Sequence, residues 1–254
     1  GEVSVAENLT ISGTSAITNS NQILVNGEIN IAGSSWSNGA NGIIASLTKS
    51  LTLALSGNLE NAGEFNSALD LSFNAQNFTN SGNILSAGNL VLNVTGFINS
   101  GNLQSAANTN ITASSFNNSG SIKSFAKATI NADSIINQTN ALIFSESDLV
   151  ISANVGKVNN SGTIYSKNNL NLSSFGLINF GEISAQNNFF LNNSISELNN
   201  SGTLYAKTNF IINNNSDLYN SGTIYSGGDL TLSAASATNS ASGWIFSKEN
   251  SDLS

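Results

Sequence analysis

Apolar residues return along this chain at a fixed place in a repeat of about twenty residues. A glycine usually marks one position of each repeat, which we call the anchor, and an apolar residue lies two positions after it. The 13 anchors are Gly1, Asn21, Gly42, Gly63, Gly82, Gly101, Gly120, Ala141, Gly162, Gly181, Gly202, Gly222 and Gly243. The residues two positions later are Val3, Ile23, Ile44, Phe65, Ile84, Leu103, Ile122, Ile143, Ile164, Ile183, Leu204, Ile224 and Ile245. Further apolar residues lie four before and eight and ten after the anchor, as Phe78, Leu90 and Leu92 do around Gly82.

These spacings are even, which is the period of a β-strand and not of a helix. Each repeat therefore predicts two or three short strands with one face turned inward. We expect the residue two positions after each anchor to be buried in every repeat. One turn of twenty residues buries too little apolar surface to fold alone, but stacked turns share a continuous core. The pattern predicts an all-β fold, a single parallel β-helix of about 13 turns over residues 1–254, right-handed as parallel crossovers generally are. At roughly 4.8 Å per turn, it would form a rod about 58 Å long.

Asparagine, serine and glycine separate the predicted strands, as expected for turns. Glycine at the anchor predicts either a positive φ or a close backbone approach at a corner. Asn21 fits a positive φ, because asparagine tolerates that conformation better than most residues. Ala141 fits it less well and predicts a local irregularity.

Asparagine also recurs two residues before the anchor. The nine residues at this position are Asn19, Asn61, Asn80, Asn99, Asn118, Asn160, Asn179, Asn200 and Asn220. Identical amides stacked on successive turns can bond to one another along the axis as a ladder. We interpret these residues as structural, because neutral amides are weak cation ligands beside carboxylates.

The composition narrows the chemistry that is available. The chain has no proline, cysteine or histidine, and only 9% of its residues are charged, with a net charge of −8. These values exclude disulfides and zinc–thiolate chemistry and disfavour nucleic acids and anionic membranes as partners. No apolar run is long enough for a transmembrane helix, and we predict no cofactor and no metal site. The chain starts on an anchor and stops inside a turn, which favours a segment of a longer protein or a unit that stacks end to end.

Catalysis is the first alternative to test, since carbohydrate-active β-helices use clustered carboxylates. The acidic residues of this chain are scattered, and only Glu146 and Asp148 lie two apart on one predicted strand. No arginine or histidine is present to assist them. We therefore predict no catalytic residue and no enzymatic activity.

Aromatic residues recur three positions after the anchor in the second half of the chain, on the outward face. This aromatic stripe consists of Phe144, Tyr165, Tyr205, Tyr225 and Phe246, with Lys167, Lys207 and Lys248 two positions further on at three of its repeats; Ser184 interrupts it. One interpretation is cross-strand stacking that stiffens the sheet. The other is a contact surface for a glycan, another rod or a covering segment.

Repeats of the form Asn-Ser-Gly-x-Ile-x-Ser followed by Asn-Leu-x-Leu, at residues 80–92 and 160–172, resemble the filamentous haemagglutinin repeats of two-partner-secretion exoproteins. Those repeats build the stems of large adhesins and of contact-dependent growth inhibition toxins. The resemblance covers nearly the whole chain. It implies an extracellular rod on a bacterial cell surface. We expect the partner of this rod to be a glycan or protein on the surface of a host or neighbouring cell. The Asn-Pro motifs of the family's secretion domain are absent from this proline-free chain.

The expected function is thus a non-enzymatic structural rod, the stem of an adhesin or of a toxin-delivery exoprotein, without membrane insertion by this segment. Two alternatives stay open. One is a subunit of a self-assembling extracellular fibre, associating end to end or laterally. The other is a carbohydrate-binding or carbohydrate-degrading β-helix.

Overall fold

The chain folds into 32 short β-strands, and the computed structural model describes residues 1–254. The first sixteen strands are β1 (Val3–Val5), β2 (Leu9–Ser12), β3 (Ile17–Asn19), β4 (Gln22–Val25), β5 (Ile29–Gly33), β6 (Trp36–Asn38), β7 (Ile43–Ser46), β8 (Leu51–Leu55), β9 (Leu59–Asn61), β10 (Glu64–Ser67), β11 (Leu71–Asn80), β12 (Asn83–Ser86), β13 (Leu90–Asn99), β14 (Asn102–Ser105), β15 (Thr109–Asn118) and β16 (Ser121–Ser124). The others are β17 (Ala128–Asn137), β18 (Leu142–Ser145), β19 (Leu149–Asn160), β20 (Thr163–Ser166), β21 (Leu170–Asn179), β22 (Glu182–Ala185), β23 (Phe189–Asn193), β24 (Leu198–Asn200), β25 (Thr203–Ala206), β26 (Phe210–Asn214), β27 (Asp217–Asn220), β28 (Thr223–Ser226), β29 (Leu230–Ser233), β30 (Ser236–Asn239), β31 (Trp244–Ser247) and β32 (Ser251–Leu253). The structure contains no helix with the length and apolar character needed to cross a bilayer.

Strands of successive turns pair in parallel, which makes the fold a parallel β-solenoid with a repeat of about twenty residues. A strand of three or four residues follows each anchor and recurs 13 times, once per turn. The rest of each turn forms either one long strand, such as β11, or two shorter ones, such as β8 and β9. The predicted all-β solenoid of about 13 turns is therefore confirmed.

The first compact unit comprises residues 1–116 and 120–126. Its strands β1, β4, β7, β10, β12, β14 and β16 form one parallel sheet, in which Phe65 pairs with Ile44 on one side and Ile84 on the other. Inside this unit Phe65, Phe73, Phe78, Phe97 and Phe116 follow one another with ring centroids 5.1–5.6 Å apart. These buried rings supply much of the apolar surface that stabilises the stacked turns.

The second unit comprises residues 117–119 and 127–254. Strands β18, β20, β22, β25, β28 and β31 form its anchor-side sheet, and β17, β19, β21, β23, β26, β29 and β32 form the opposite wall. Strands β24, β27 and β30 extend the pairing that starts at the second half of β21. Phe189 and Phe210 stack in its core with centroids 4.4 Å apart.

The apolar residue two positions after the anchor is buried in eleven of the thirteen turns, from Ile23 to Ile224. The prediction was wrong for Val3, which is 45% exposed, and for Ile245, which is half-buried. Val3 pairs only with Ile23, and Ile245 pairs only with Ile224. A side chain with a neighbouring turn on one side alone keeps part of its surface in water.

Close backbone approach, and not a positive φ, explains the anchor glycines. No glycine of the chain has a positive φ, whereas a Cβ added to Gly202 would lie 2.0 Å from the carbonyl oxygen of Gly181 in the preceding turn. The positive φ suggested for Asn21 is wrong, because the only residue other than glycine in that region is Asn140, with a φ of 66°. Asn140 directly precedes Ala141, where we predicted the irregularity.

Candidate functional site

An asparagine ladder runs along one corner of the first unit. Asn19 Nδ2 donates to Asn38 Oδ1 at 2.9 Å, and Asn38 donates in the same way to Asn61 at 2.9 Å. Asn61 donates to Asn80 and Asn80 to Asn99, each at 2.8 Å. All five side chains are buried. Most of these amides also donate to a backbone carbonyl near the anchor, as Asn61 does to Gly63 at 3.3 Å.

The second unit has a ladder of the same kind. Its side chains donate to the next in the order Asn118, Asn137, Asn160, Asn179, Asn200, Asn220 and Asn239, at 2.7–2.9 Å. The side chains from Asn118 to Asn220 are buried. Each bond joins the donor of one amide to the acceptor of the next, so both ends of an inner amide are used within the protein. A buried amide without such partners would be costly.

The sequence pattern of asparagine two positions before the anchor does not include three residues of the ladders, which are Asn38, Asn137 and Asn239. Each lies four positions before it, because the corner contains two more residues there. The longer corner closes as a β-turn, in which the anchor N–H donates to a carbonyl three residues back, as Ala141 does to Gln138 at 3.0 Å. The signal that would have found them is an apolar residue two positions before the asparagine, such as Trp36 before Asn38 or Ile135 before Asn137.

A second, shorter amide row was also missed. Ser174 Oγ donates to Asn193 Oδ1 at 3.2 Å, and Asn193 Nδ2 donates to Asn214 Oδ1 at 2.7 Å. All three side chains are buried. They lie twelve residues after their anchors, a position that holds asparagine in too few turns to be visible as a pattern.

Replacing Asn160 with alanine should lower the free energy of unfolding by about 1–3 kcal/mol, because it removes a partner from both neighbours in the ladder. Asn137 loses its acceptor and Asn179 its donor. Urea-induced unfolding of the wild type and the variant measures the difference. Asn159→Ala is the matched control, since Asn159 points outward and is half-buried. Equal losses in the two variants would contradict a stabilising role for the ladder.

The aromatic stripe occupies the outer face of the anchor-side sheet in the second unit, where the structure brings its rings together in two groups. Phe144 stacks on Tyr165 with centroids 5.7 Å apart. Tyr205, Tyr225 and Phe246 form the other group, with centroids 5.2 and 5.5 Å apart and ring planes within 18° of parallel. Ser184 lies between Tyr165 and Tyr205 in the strand register and is buried. Rings stacked along the axis cover each other's faces and present mainly their edges to solvent.

The three lysines flanking the stripe lie in different surroundings. Lys167 is paired with Glu146 at 2.8 Å, and its ammonium lies 5.7 Å from the centre of the Phe144 ring. Lys207 and Lys248 are exposed and form no ion pair. Lys167 therefore contacts the stripe through the Phe144 ring, whereas Lys207 and Lys248 are left in solvent.

The carboxylates considered for catalysis make structural contacts. Glu146 Oε1 accepts a hydrogen bond from the Lys167 ammonium. Asp148 Oδ1 accepts hydrogen bonds from the side chains of Asn168 and Asn169 and from the Asn169 backbone N–H. No group of three or more histidine, cysteine, aspartate or glutamate side chains is placed to hold a metal ion.

One ion pair joins two residues that lie two turns apart. The Lys157 ammonium lies 2.6 Å from Glu197 Oε1, and Ser196 Oγ donates to the other carboxylate oxygen at 2.7 Å. Gly176 lies beside the lysine stem, where an added Cβ would be 3.2 Å from Lys157 Cγ. The Lys157 hydrogen bond, followed by that of Ser196, lowers the pKa of Glu197 from 4.5 to about 2.

This lowered pKa predicts a defined pH dependence of stability. A carboxylate whose pKa is lower in the folded state stabilises the protein above its unfolded pKa of 4.5 and loses that effect as the pH falls towards 2. The contribution should stay below about 1 kcal/mol, because both side chains are more than a third exposed. The difference in unfolding free energy between the wild type and Glu197→Gln should therefore shrink between pH 4.5 and 2. A difference that stays constant through this window would contradict the assignment.

Comparison with protein families matches the chain to the haemagglutinin repeat over residues 1–63, 66–143, 126–189 and 191–250. Searches of curated proteins and of solved structures gave no significant match. The matched segments cover nearly all of the turns described above, including both asparagine ladders. This chain belongs to the haemagglutinin repeat family.

Proposed function

We propose that the chain is a non-enzymatic stem segment of a secreted exoprotein held at the bacterial cell surface. The haemagglutinin repeat is a structural kind of repeat, typical of adhesin-like exoproteins, and it accounts for almost the entire sequence. That coverage is the observation that carries the proposal. We further propose that this stem belongs to an adhesin or to a contact-dependent toxin-delivery protein, and the same family membership supports this.

The geometry supports a structural role. Successive turns are joined by parallel backbone pairing, by buried apolar rows and by amide ladders, and these contacts repeat without change of type from turn to turn. Such a repeat holds its surface side chains at fixed intervals, which suits a stem that presents contact sites. We propose that residues 1–254 form one continuous repeat domain, because the same phase runs through all of them. We propose that the partner of this surface is a glycan or protein of a host or neighbouring cell.

Antibodies raised against this segment provide the test. They should label intact cells that produce the protein, and mild external protease treatment should remove the signal while a cytoplasmic marker protein stays intact. Labelling that requires permeabilised cells would overturn the proposed location. The catalytic alternative is tested separately by incubating the purified segment with polysaccharides and measuring released reducing ends.

A further inference from the structure

A groove of about 370 Å3 lies on the outer surface of the second unit, away from the aromatic stripe. Its aromatic walls are Phe180 in one turn and Tyr219 two turns further on, and its floor includes Asn199 and Ser201 from the turn between them. The volume lies within the ~300–1,000 Å3 typical of small-molecule sites.

The two aromatic rings differ from those of the stripe. Phe180 is 65% exposed and Tyr219 is 46% exposed. Neither stacks on another ring, in contrast to Tyr205 and Tyr225. Eight other turns have serine directly before the anchor, where this turn has Phe180, so the ring is a local departure from the repeat. Both residues therefore offer exposed aromatic surface to a ligand.

The floor between the rings carries the uncharged polar side chains of Asn199 and Ser201, and the apolar side chain of Ile178 also lines the groove. The Asn199 side chain is half-buried and makes no hydrogen bond within the protein, so its amide can both donate and accept. Ser221 Oγ donates to Ser201 Oγ at 3.0 Å, which leaves the Ser201 hydroxyl proton free for another acceptor. No charged side chain lines the groove. The chemistry fits a neutral ligand with several hydroxyl groups and an apolar face.

An extended peptide fits this place less well than a sugar. The floor strand β24 is paired with β21 on one side and with β27 on the other. Since the sheet has no open edge here, a bound peptide could not pair its backbone with the protein. A pyranose ring needs only hydroxyl partners and a surface for its C–H face.

We propose that this groove binds a neutral sugar ring, with its apolar face packed against Phe180 or Tyr219 and its hydroxyl groups bonded to Asn199 and Ser201. The inference deepens the proposed function, because it names the ligand class and the place on the stem where contact occurs. It does not depend on where the protein is located, so the two can fail separately.

The test uses the purified 254-residue chain and the methyl glycosides of galactose, glucose, mannose and N-acetylglucosamine, titrated at millimolar concentration and followed by saturation-transfer NMR. At least one glycoside should bind, and Phe180→Ser with Tyr219→Thr should weaken that binding at least ~10-fold. These replacements occur naturally at the equivalent positions of other turns, such as Ser161 and Thr238, so the double variant should fold like the wild type. Phe125→Ala is the control, because Phe125 is as exposed as Tyr219, at 46%, but lies outside the groove.

Four outcomes overturn the proposal: no glycoside binds, binding is unchanged in the double variant, the Phe125→Ala control loses binding to the same extent, or a capped neutral tetrapeptide binds while the glycosides do not. If antibodies label intact cells but no glycoside binds the purified chain, the proposed stem stands and only the sugar site is wrong. If a glycoside binds but intact cells are not labelled, the sugar site stands and the proposed surface location is wrong.

Discussion

Replacing Ile164 with aspartate should lower the free energy of unfolding by on the order of 4 kcal/mol. Ile164 is fully buried and stacks between Ile143 and Ile183 in the neighbouring turns. A carboxylate at this place has no partner and disturbs the packing of three turns at once. Urea-induced unfolding followed by circular dichroism measures the loss.

Thr163→Asp is the control for this variant, since Thr163 lies on the same strand and points outward. It introduces the same charge with access to water and should change the unfolding free energy by less than about 1 kcal/mol. If the two variants lost equal stability, the assignment of Ile164 to the interior would be wrong.

A single methyl group at Gly202 should also cost several kcal/mol. The added Cβ would lie 2.0 Å from the Gly181 oxygen and 2.7 Å from the carbonyl carbon of Phe180, and these are backbone atoms that cannot rotate away. This clash can be relieved only by separating the two turns, which breaks the hydrogen bond of 2.8 Å from the Thr203 N–H to the Gly181 carbonyl oxygen. We therefore expect Gly202→Ala to destabilise by about 3 kcal/mol or more, although alanine usually stabilises by ~0.4–1 kcal/mol where the backbone accepts it.

Gly13→Ala separates the clash caused by the added Cβ from the general effect of replacing glycine with alanine. A Cβ at Gly13 would meet only the Ile17 Cδ1 atom at 3.7 Å, an ordinary contact. Thermal melting should show Gly13→Ala close to the wild type and Gly202→Ala well below it. A Gly202→Ala variant as stable as the wild type would mean that the corners are more widely spaced than described.

The regular features of this fold were accessible from the sequence because each turn repeats the same environment. The row from Ile23 to Ile224 could be identified by spacing alone, and the asparagines two residues before the anchor could be placed on one corner. The pattern did not identify Asn38 and Asn137, because two additional residues in the corner place them four positions before the anchor, although their side chains keep their place in the ladder. Val3 was expected to be buried because a repeat pattern carries no information on how many neighbouring turns cover a residue.

Features that combine different turns were not accessible in the same way. Lys157 and Glu197 are 40 residues apart, and their contact depends on Gly176 leaving room between them. The groove at Phe180 and Tyr219 arises from two unrelated positions of the repeat that meet only when turns are stacked. The orientation of the stripe rings likewise depends on stacking, because the sequence places the rings outward without fixing which surface they present.

The stacking register itself can be measured with paired cysteines, since the chain has no cysteine of its own. Tyr205 and Tyr225 are register partners on adjacent strands, as are Thr203 and Thr223. Partners lie about 4.8 Å apart, within the Cα range of a disulfide, whereas Thr203 and Tyr225 should be about 8 Å apart and outside it. Mild oxidation should therefore link Tyr205→Cys with Tyr225→Cys and leave Thr203→Cys with Tyr225→Cys reduced, as measured by mass spectrometry. Efficient linkage of the mismatched pair, or none in the matched pair, would contradict the twenty-residue stacking of turns.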